Sequence, residues 1–149
     1  MMKQAVILAG GKGTRLSPLT DNIPKVLINI NNKSLLENKL DSLNELVEEV
    51  IIVVGYLADK VKEEIGNHYK NLKIKYVEQK ERKGTGDALL KAKDFLKNEF
   101  IVLNGDDIYS KKDIEKLLKE KFAVFGFHVG NPEKFGVFEV DEKMNLIGF

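Results

Sequence analysis

The sequence predicts an α/β fold three layers deep, in which a largely parallel sheet carries helices on both faces. Three observations predict it. Short runs of β-branched and aliphatic residues alternate along the chain with longer segments of helical periodicity. Glycines stand just after several of these runs, where a strand must turn into a loop or helix. The 149 residues, 43 % of them apolar, are enough for one domain with a sizeable core.

Ala5-Val6-Ile7-Leu8 reads as the first buried strand. After a glycine-rich stretch come Lys25-Val26-Leu27-Ile28 and then a helix over 34–46, whose start is fixed by Ser34 and Glu37 at capping-box spacing. Residues 50–54 form a second buried strand ended by Gly55, and 58–65 a helix stopped by Gly66. Residues 72–77 alternate apolar and polar as a strand does, 87–96 have helical periodicity, 100–103 are a buried strand and 112–118 a helix. From Phe122 the pattern is strand-like, over 122–129, 136–140 and 146–149. No linker or low-complexity stretch divides 1–149, so a single domain is expected.

Bulk properties exclude several functions. A net charge of +1 gives no broad field for nucleic acid or a membrane surface, so any polyanion site must be local. The absence of cysteine removes disulfides, thiolate nucleophiles and thiolate metal sites together. His68 and His128 are far apart and not in a zinc-like spacing. No apolar run approaches a membrane span and no signal peptide stands at the start, so a cytoplasmic protein is expected.

The most informative stretch is Leu8-Ala9-Gly10-Gly11-Lys12-Gly13-Thr14-Arg15-Leu16, followed by Pro24-Lys25. A side-chain-poor turn after a strand aims its backbone N–H groups outward together and makes a concavity suited to anions. Arg15 adds a planar cationic fork and Lys25 a compact point charge, so the combination points to nucleotide phosphate. It is not a P-loop, because Gly11-Lys12 is followed by Gly13 rather than Ser or Thr. Nor is it the dinucleotide fingerprint, because Leu16 stands where the third glycine or alanine belongs.

Two further motifs follow strands, where ligands of parallel α/β sheets bind. Gln79 leads into Gly84-Thr85-Gly86-Asp87-Ala88. The glycines let backbone approach a flat ligand, Thr85 suits a helix cap, and a glutamine amide offers a donor and an acceptor on one edge, as does the imide of uracil or thymine. Asn104-Gly105-Asp106-Asp107 puts a carboxylate at a strand end facing the glycine loop, well placed for Mg²⁺, which prefers one or two carboxylates plus phosphate oxygens. Asp107 ranks below Asp106 and suits a helix cap.

The ordered set, with Pro18-Leu19-Thr20 between, resembles the signature of the sugar-1-phosphate nucleotidyltransferases, the nucleotide-diphospho-sugar pyrophosphorylases. That resemblance implies a Rossmann-like mixed sheet of the nucleotide-diphospho-sugar transferase type. It assigns Leu8, Ala9, Gly10, Gly11, Gly13 and Thr14 to nucleotide binding, Arg15 to the pyrophosphate, and Lys25 to the α-phosphate and the attacking phosphate. Gln79, Gly84 and Thr85 would recognise the base, Asp106 would hold Mg²⁺, and Gly136, in Phe135-Gly136-Val137, would touch the sugar. The implied reaction joins a nucleotidyl group from UTP or dTTP to a sugar 1-phosphate and releases pyrophosphate. No side chain acts as nucleophile; the chain positions two anions and stabilises the charge that moves to the leaving group.

The family's catalytic domain runs well beyond 149 residues, through a Glu-Lys-Pro segment and a second metal-binding aspartate. The nucleotide half is therefore expected here and part of the sugar half is not, so an oligomer or a missing carboxyl-terminal half stays open. Two alternatives remain beside the sugar nucleotidyltransferase: a nucleotide-binding or regulatory fragment or subunit without turnover, and a cytidylyltransferase acting on phosphocholine or a polyol phosphate.

Overall fold

The computed structural model describes residues 4–81 and 83–148. In chain order the elements are β1 (Gln4–Ala9), β2 (Asn29–Ile30), β3 (Lys33–Ser34), α1 (Leu35–Leu43), β4 (Glu49–Val54), α2 (Ala58–Ile65), β5 (His68–Tyr69), β6 (Leu72–Glu78), α3 (Thr85–Lys91), β7 (Phe100–Asn104), α4 (Lys111–Leu117), β8 (Glu139–Val140) and β9 (Leu146–Gly148). The main sheet runs β5-β6-β4-β1-β7. Its four longer strands are parallel, with Ala5 opposite Val50 and Ile101, and Val50 opposite Ile74; only β5 runs antiparallel.

The two-residue period of a strand sorts the core into two layers. Ala5, Ile7, Ala9, Val50, Ile52, Val54, Leu72, Ile74, Ile101 and Leu103 face one side, where Leu36, Leu40 and Leu43 of α1, Ala58, Val61 and Ile65 of α2, and Ile114 of α4 cover them. Val6, Ile51, Val53 and Val77 face the other, covered by Ala88 of α3 and by Ala92. Each fully buried aliphatic side chain contributes about 1.5–3 kcal/mol. The strands β1 and β4 are covered on both faces, which is why they read as unbroken apolar runs rather than alternating ones.

The expected α/β architecture with a mostly parallel sheet is the one present. Ser34 caps α1 by a complete capping box: its hydroxyl accepts from the Glu37 N–H (3.1 Å), and its own N–H donates to the Glu37 carboxylate (2.7 Å). The helix ends at Leu43 rather than 46, because Asn44 turns extended and Glu45 takes a positive φ of 72°. Leu46 still packs on the core, so the apolar spacing outlasts the helix. The helix expected over 87–96 begins earlier, at Thr85, and breaks after Lys91 into a 3-10 turn at Lys93–Phe95. Lys25–Leu27 is a 3-10 turn that buries Val26.

The strand expected over 122–129 is absent, and of 136–140 only Glu139–Val140 is a strand, paired with Leu146–Gly148. Alternation supplies a strand's faces but not a neighbour for its ladder. None of residues 121–130 enters a sheet, and β7 is hydrogen-bonded to β1 alone. Phe149, the last residue of the expected final strand, lies outside the described residues. No helix among the described residues is long and apolar enough to cross a membrane.

Candidate nucleotide-phosphate site

Because β1, β4, β6 and β7 are parallel, the loops that follow them meet at one edge of the sheet. Glycines let them meet closely. A Cβ on Gly55, after β4, would lie 2.8 Å from Gly10 O. One on Gly105, after β7, would lie 2.7 Å from Leu8 O and 2.8 Å from Val26 Cγ1, and the Gly105 N–H donates to Leu8 O at 2.9 Å.

The loop after β1 is tied down from within and from its neighbours. Gly13 sits at φ 69°, and its carbonyl accepts from the Leu16 N–H (2.9 Å) and from the hydroxyl of buried Thr20 (2.9 Å). A Cβ there would press on Lys25 and Thr20, at 3.1–3.3 Å. Tyr56 donates its hydroxyl to Asp21 O, Lys60 Nζ donates to Asn22 O (2.7 Å), and Lys12 Nζ lies 5.3 Å from the centre of the Tyr56 ring.

Gly11, Gly13, Thr14, Arg15, Leu16, Lys25 and Asp106 together line a cleft of about 220 Å³. Three separate stretches of sequence thus converge, and Arg15 and Lys25 face the cleft with the carboxylate of Asp106. Lys25 Nζ pairs with Asp106 Oδ2 at 2.5 Å. Burial alone would raise the Asp106 carboxyl; the hydrogen bond and charge of Lys25, helped by Lys39, outweigh it and hold the group below its ordinary value. Arg15 is exposed and has no ion pair among the described residues. A larger cleft of about 560 Å³ lies at the opposite, amino-terminal ends of β4 and β6, but its charged lining is Glu45, Glu48 and Glu115 against Lys119 alone, a balance that disfavours phosphate.

The donor set fits Mg²⁺. Asp106 is an ionised, partly exposed carboxylate beside the glycine loop, and a hard divalent cation there would take its oxygens together with phosphate and water. Among the described residues no cluster of three His, Asp or Glu side chains forms a self-sufficient cage.

Asp107 is not a helix cap. Ser110 caps α4, while Asp107 Oδ2 accepts from Asn104 Nδ2 (2.9 Å) and the Tyr109 hydroxyl (3.1 Å), holding the turn that presents Asp106. Thr85 does not cap α3 either: it is the first helical residue, behind Gly84 at φ 96°, and no side chain caps that end. Gln79 is buried beside the loop, its Oε1 3.4 Å from where a Cβ on Gly10 would stand. Its Nε2 donates to Gly84 O (3.1 Å) and Asp87 Oδ2 (2.7 Å). Gly136 lies exposed in the segment after α4 and does not line the cleft. Leu8 and Ala9 contribute strand backbone.

Two neighbours were not singled out by sequence. Lys39 of α1, 3 % exposed, donates from Nζ to Asp107 O and lies 4.6 Å from the centre of the Tyr109 ring. Its signal was a lysine inside the apolar stripe Leu36, Leu40, Leu43. Asp87 gave no signal beyond membership of the glycine motif.

The fold and the strand-end glycine loop define an α/β domain with a candidate phosphate site. The description nucleotidyl transferase fits residues 4–149, and the chain belongs to that family. It is 44 % identical over 143 residues to the bifunctional protein GlmU of Methanocaldococcus jannaschii, covering 96 % of this chain and 34 % of that one. It is 37 % identical over 151 residues to the D-glycero-α-D-manno-heptose 1-phosphate guanylyltransferase of Campylobacter jejuni, covering 98 % of this chain and 67 % of that one. The chain thus spans about a third of the length of the GlmU relatives it matches. In structure it resembles a Bacillus anthracis chain assigned as a glucose-1-phosphate thymidylyltransferase, with a TM-score of 0.79 at 24 % identity over 97 % of this chain and 62 % of the other.

Proposed function

We propose that this domain transfers a nucleotidyl group from UTP or dTTP to a sugar 1-phosphate, with Mg²⁺, and releases pyrophosphate. The observation that carries the reading is the convergence of Arg15, Lys25 and Asp106 on one cleft under the Gly11–Gly13 turn. Two cations and a row of backbone N–H groups hold triphosphate, and one ionised carboxylate remains to share a divalent cation with it. Bound there, Mg²⁺ would neutralise charge on the phosphate oxygens. Lys25 exchanges its partner Asp106 for phosphate oxygens, orienting the α-phosphate toward the incoming sugar phosphate. Arg15, free of any carboxylate among the described residues, takes up the charge that develops on the leaving pyrophosphate. Gln79 and Gly84 receive the base beside the loop, and Gly136 is assigned to the sugar. A cytoplasmic setting goes with these substrates.

The experiment is Mg²⁺-dependent pyrophosphate release by the 149-residue chain, with each nucleoside triphosphate paired against glucose 1-phosphate and N-acetylglucosamine 1-phosphate. Release with UTP or dTTP is expected. Arg15→Ala should lower kcat by about a hundredfold or more while changing nucleotide affinity much less. Near-normal turnover in that variant would remove Arg15 from its role. Nucleotide bound without pyrophosphate release would instead make this chain a binding module.

A further inference from the structure

A free glutamine amide reads a base with one donor and one acceptor, but Gln79 is not free. Both hydrogens of Nε2 are committed, to Asp87 Oδ2 at 2.7 Å and to Gly84 O at 3.1 Å. Turning the amide over would set Oε1 against a carboxylate and a carbonyl, three acceptors with no hydrogen among them, in a side chain only 6 % exposed. The chemistry of its neighbours therefore fixes the orientation. Oε1 is left facing Gly10, at the head of the phosphate-binding loop, and accepts from no group among the described residues.

We infer that Asp87 is a positioning residue that makes Gln79 an acceptor-only reader and so restricts the base to one bearing a ring N–H. This rests on the proposed nucleotide site. Uracil and thymine carry a single donor on their pairing edge, N3–H, so an acceptor-only Gln79 can meet them at that atom alone. The register of the base is thereby set. At that register guanine also presents a donor, N1–H. Cytosine and adenine present a ring nitrogen lone pair at that position. Their pairing-edge donor is the exocyclic amino group one atom away, which can meet Oε1 only if the base shifts out of the register that the shared ribose and triphosphate set. The amide cannot turn to offer Nε2 while Asp87 holds it. The class selected is uracil, thymine and guanine against cytosine and adenine.

The test is equilibrium binding of UTP, dTTP, GTP, CTP and ATP to the full chain by calorimetry, in wild type, Asp87→Asn and Asp87→Ala. The triphosphate is common to all five ligands, so differences report the base. Wild type should prefer UTP, dTTP and GTP over CTP and ATP by about tenfold or more. Asp87→Asn is isosteric and removes the stronger of the two acceptors that oppose a turn, because asparagine can either accept from Nε2 or donate to Oε1, leaving only the longer contact to Gly84 O against it. It should shrink the preference over CTP severalfold, chiefly by tightening CTP, with an unchanged melting temperature. Asp87→Ala should shift the same ratio. Weakening of all five ligands in parallel would mean a merely structural Asp87 and overturn the inference, as would a wild type that binds them all alike. Binding by none of the five would instead remove the nucleotide site itself, and this inference with it.

Discussion

Lys39 shows what a single buried charge contributes at the site's edge. Burial pushes its pKa from 10.5 down to about 8, against the pull of Asp107 and Asp106, which favour the charged form. The ammonium survives in the core because Asp107 O accepts from it and the Tyr109 ring lies against it. A basic group whose folded pKa is depressed leaves the unfolded chain holding more protons between about pH 8 and 10.5, so stability rises with pH across that window. Compared with Lys39→Met, which is apolar and of similar length, wild type should gain about 1–3 kcal/mol as pH goes from 8 to 10.5. Urea unfolding at each pH checks it, and a flat or falling difference would show that Lys39 is not held this way. At this scale the sequence was legible where chemistry is written in residue type and motif. Arg15, Lys25 and Asp106 stood out as charges beside glycines and do share a cleft. Lys39 and Asp87 did not, because their roles are contacts: one reaches a carbonyl 68 positions away, and the other turns an amide whose own motif already explained it.

Elements were legible when one local signal sufficed. Ser34 and Glu37 announced α1 by spacing alone, and the capping box is intact. The run Val50-Ile51-Ile52-Val53-Val54 announced a strand buried on both faces. The stretch 122–129 failed because a strand also needs a partner, which no local pattern encodes. Glycines in loops show the same division. Gly11 and Gly105 both belonged to motifs, yet only Gly105 is fixed by packing: its Cβ would meet Leu8 O at 2.7 Å, whereas nothing stands within 4 Å of a Cβ on Gly11. Gly105→Ala should therefore lower stability by about 1–3 kcal/mol, since β1, β7 and the Lys25–Leu27 turn must separate to admit it. Gly11→Ala should leave stability within about 0.5 kcal/mol of wild type and weaken nucleotide binding, because the methyl group enters the cleft. Equal stability losses in the two variants would contradict the packing argument.

The molecule as a whole divides energetically after α4. Every residue of both core layers lies between Ala5 and Ile114, and the sheet with its four helices closes around them. Beyond Leu118 the described residues make one small hairpin of their own, β8 with β9, and Phe125 stacks on Tyr109 at 5.5 Å. Phe122 and Phe127 are 89 % and 81 % exposed. Local opening should follow this distribution of burial, because a segment with few apolar contacts opens at little cost while the two-sided sheet opens only with the whole domain. Brief digestion with low chymotrypsin should therefore cut first after Phe122 or Phe127 and leave an amino-terminal fragment that resists further cutting. That fragment should keep its helical circular dichroism and unfold cooperatively in urea, since it retains both core layers. First cuts between β1 and α4, or a fragment without a cooperative transition, would mean that the late segment supports the sheet more than its exposure suggests. Under prolonged digestion at higher chymotrypsin, which reaches the resistant fragment, UTP should slow cutting after Tyr56, whose ring and hydroxyl brace the glycine loop, while leaving the early cuts after Phe122 and Phe127 unchanged.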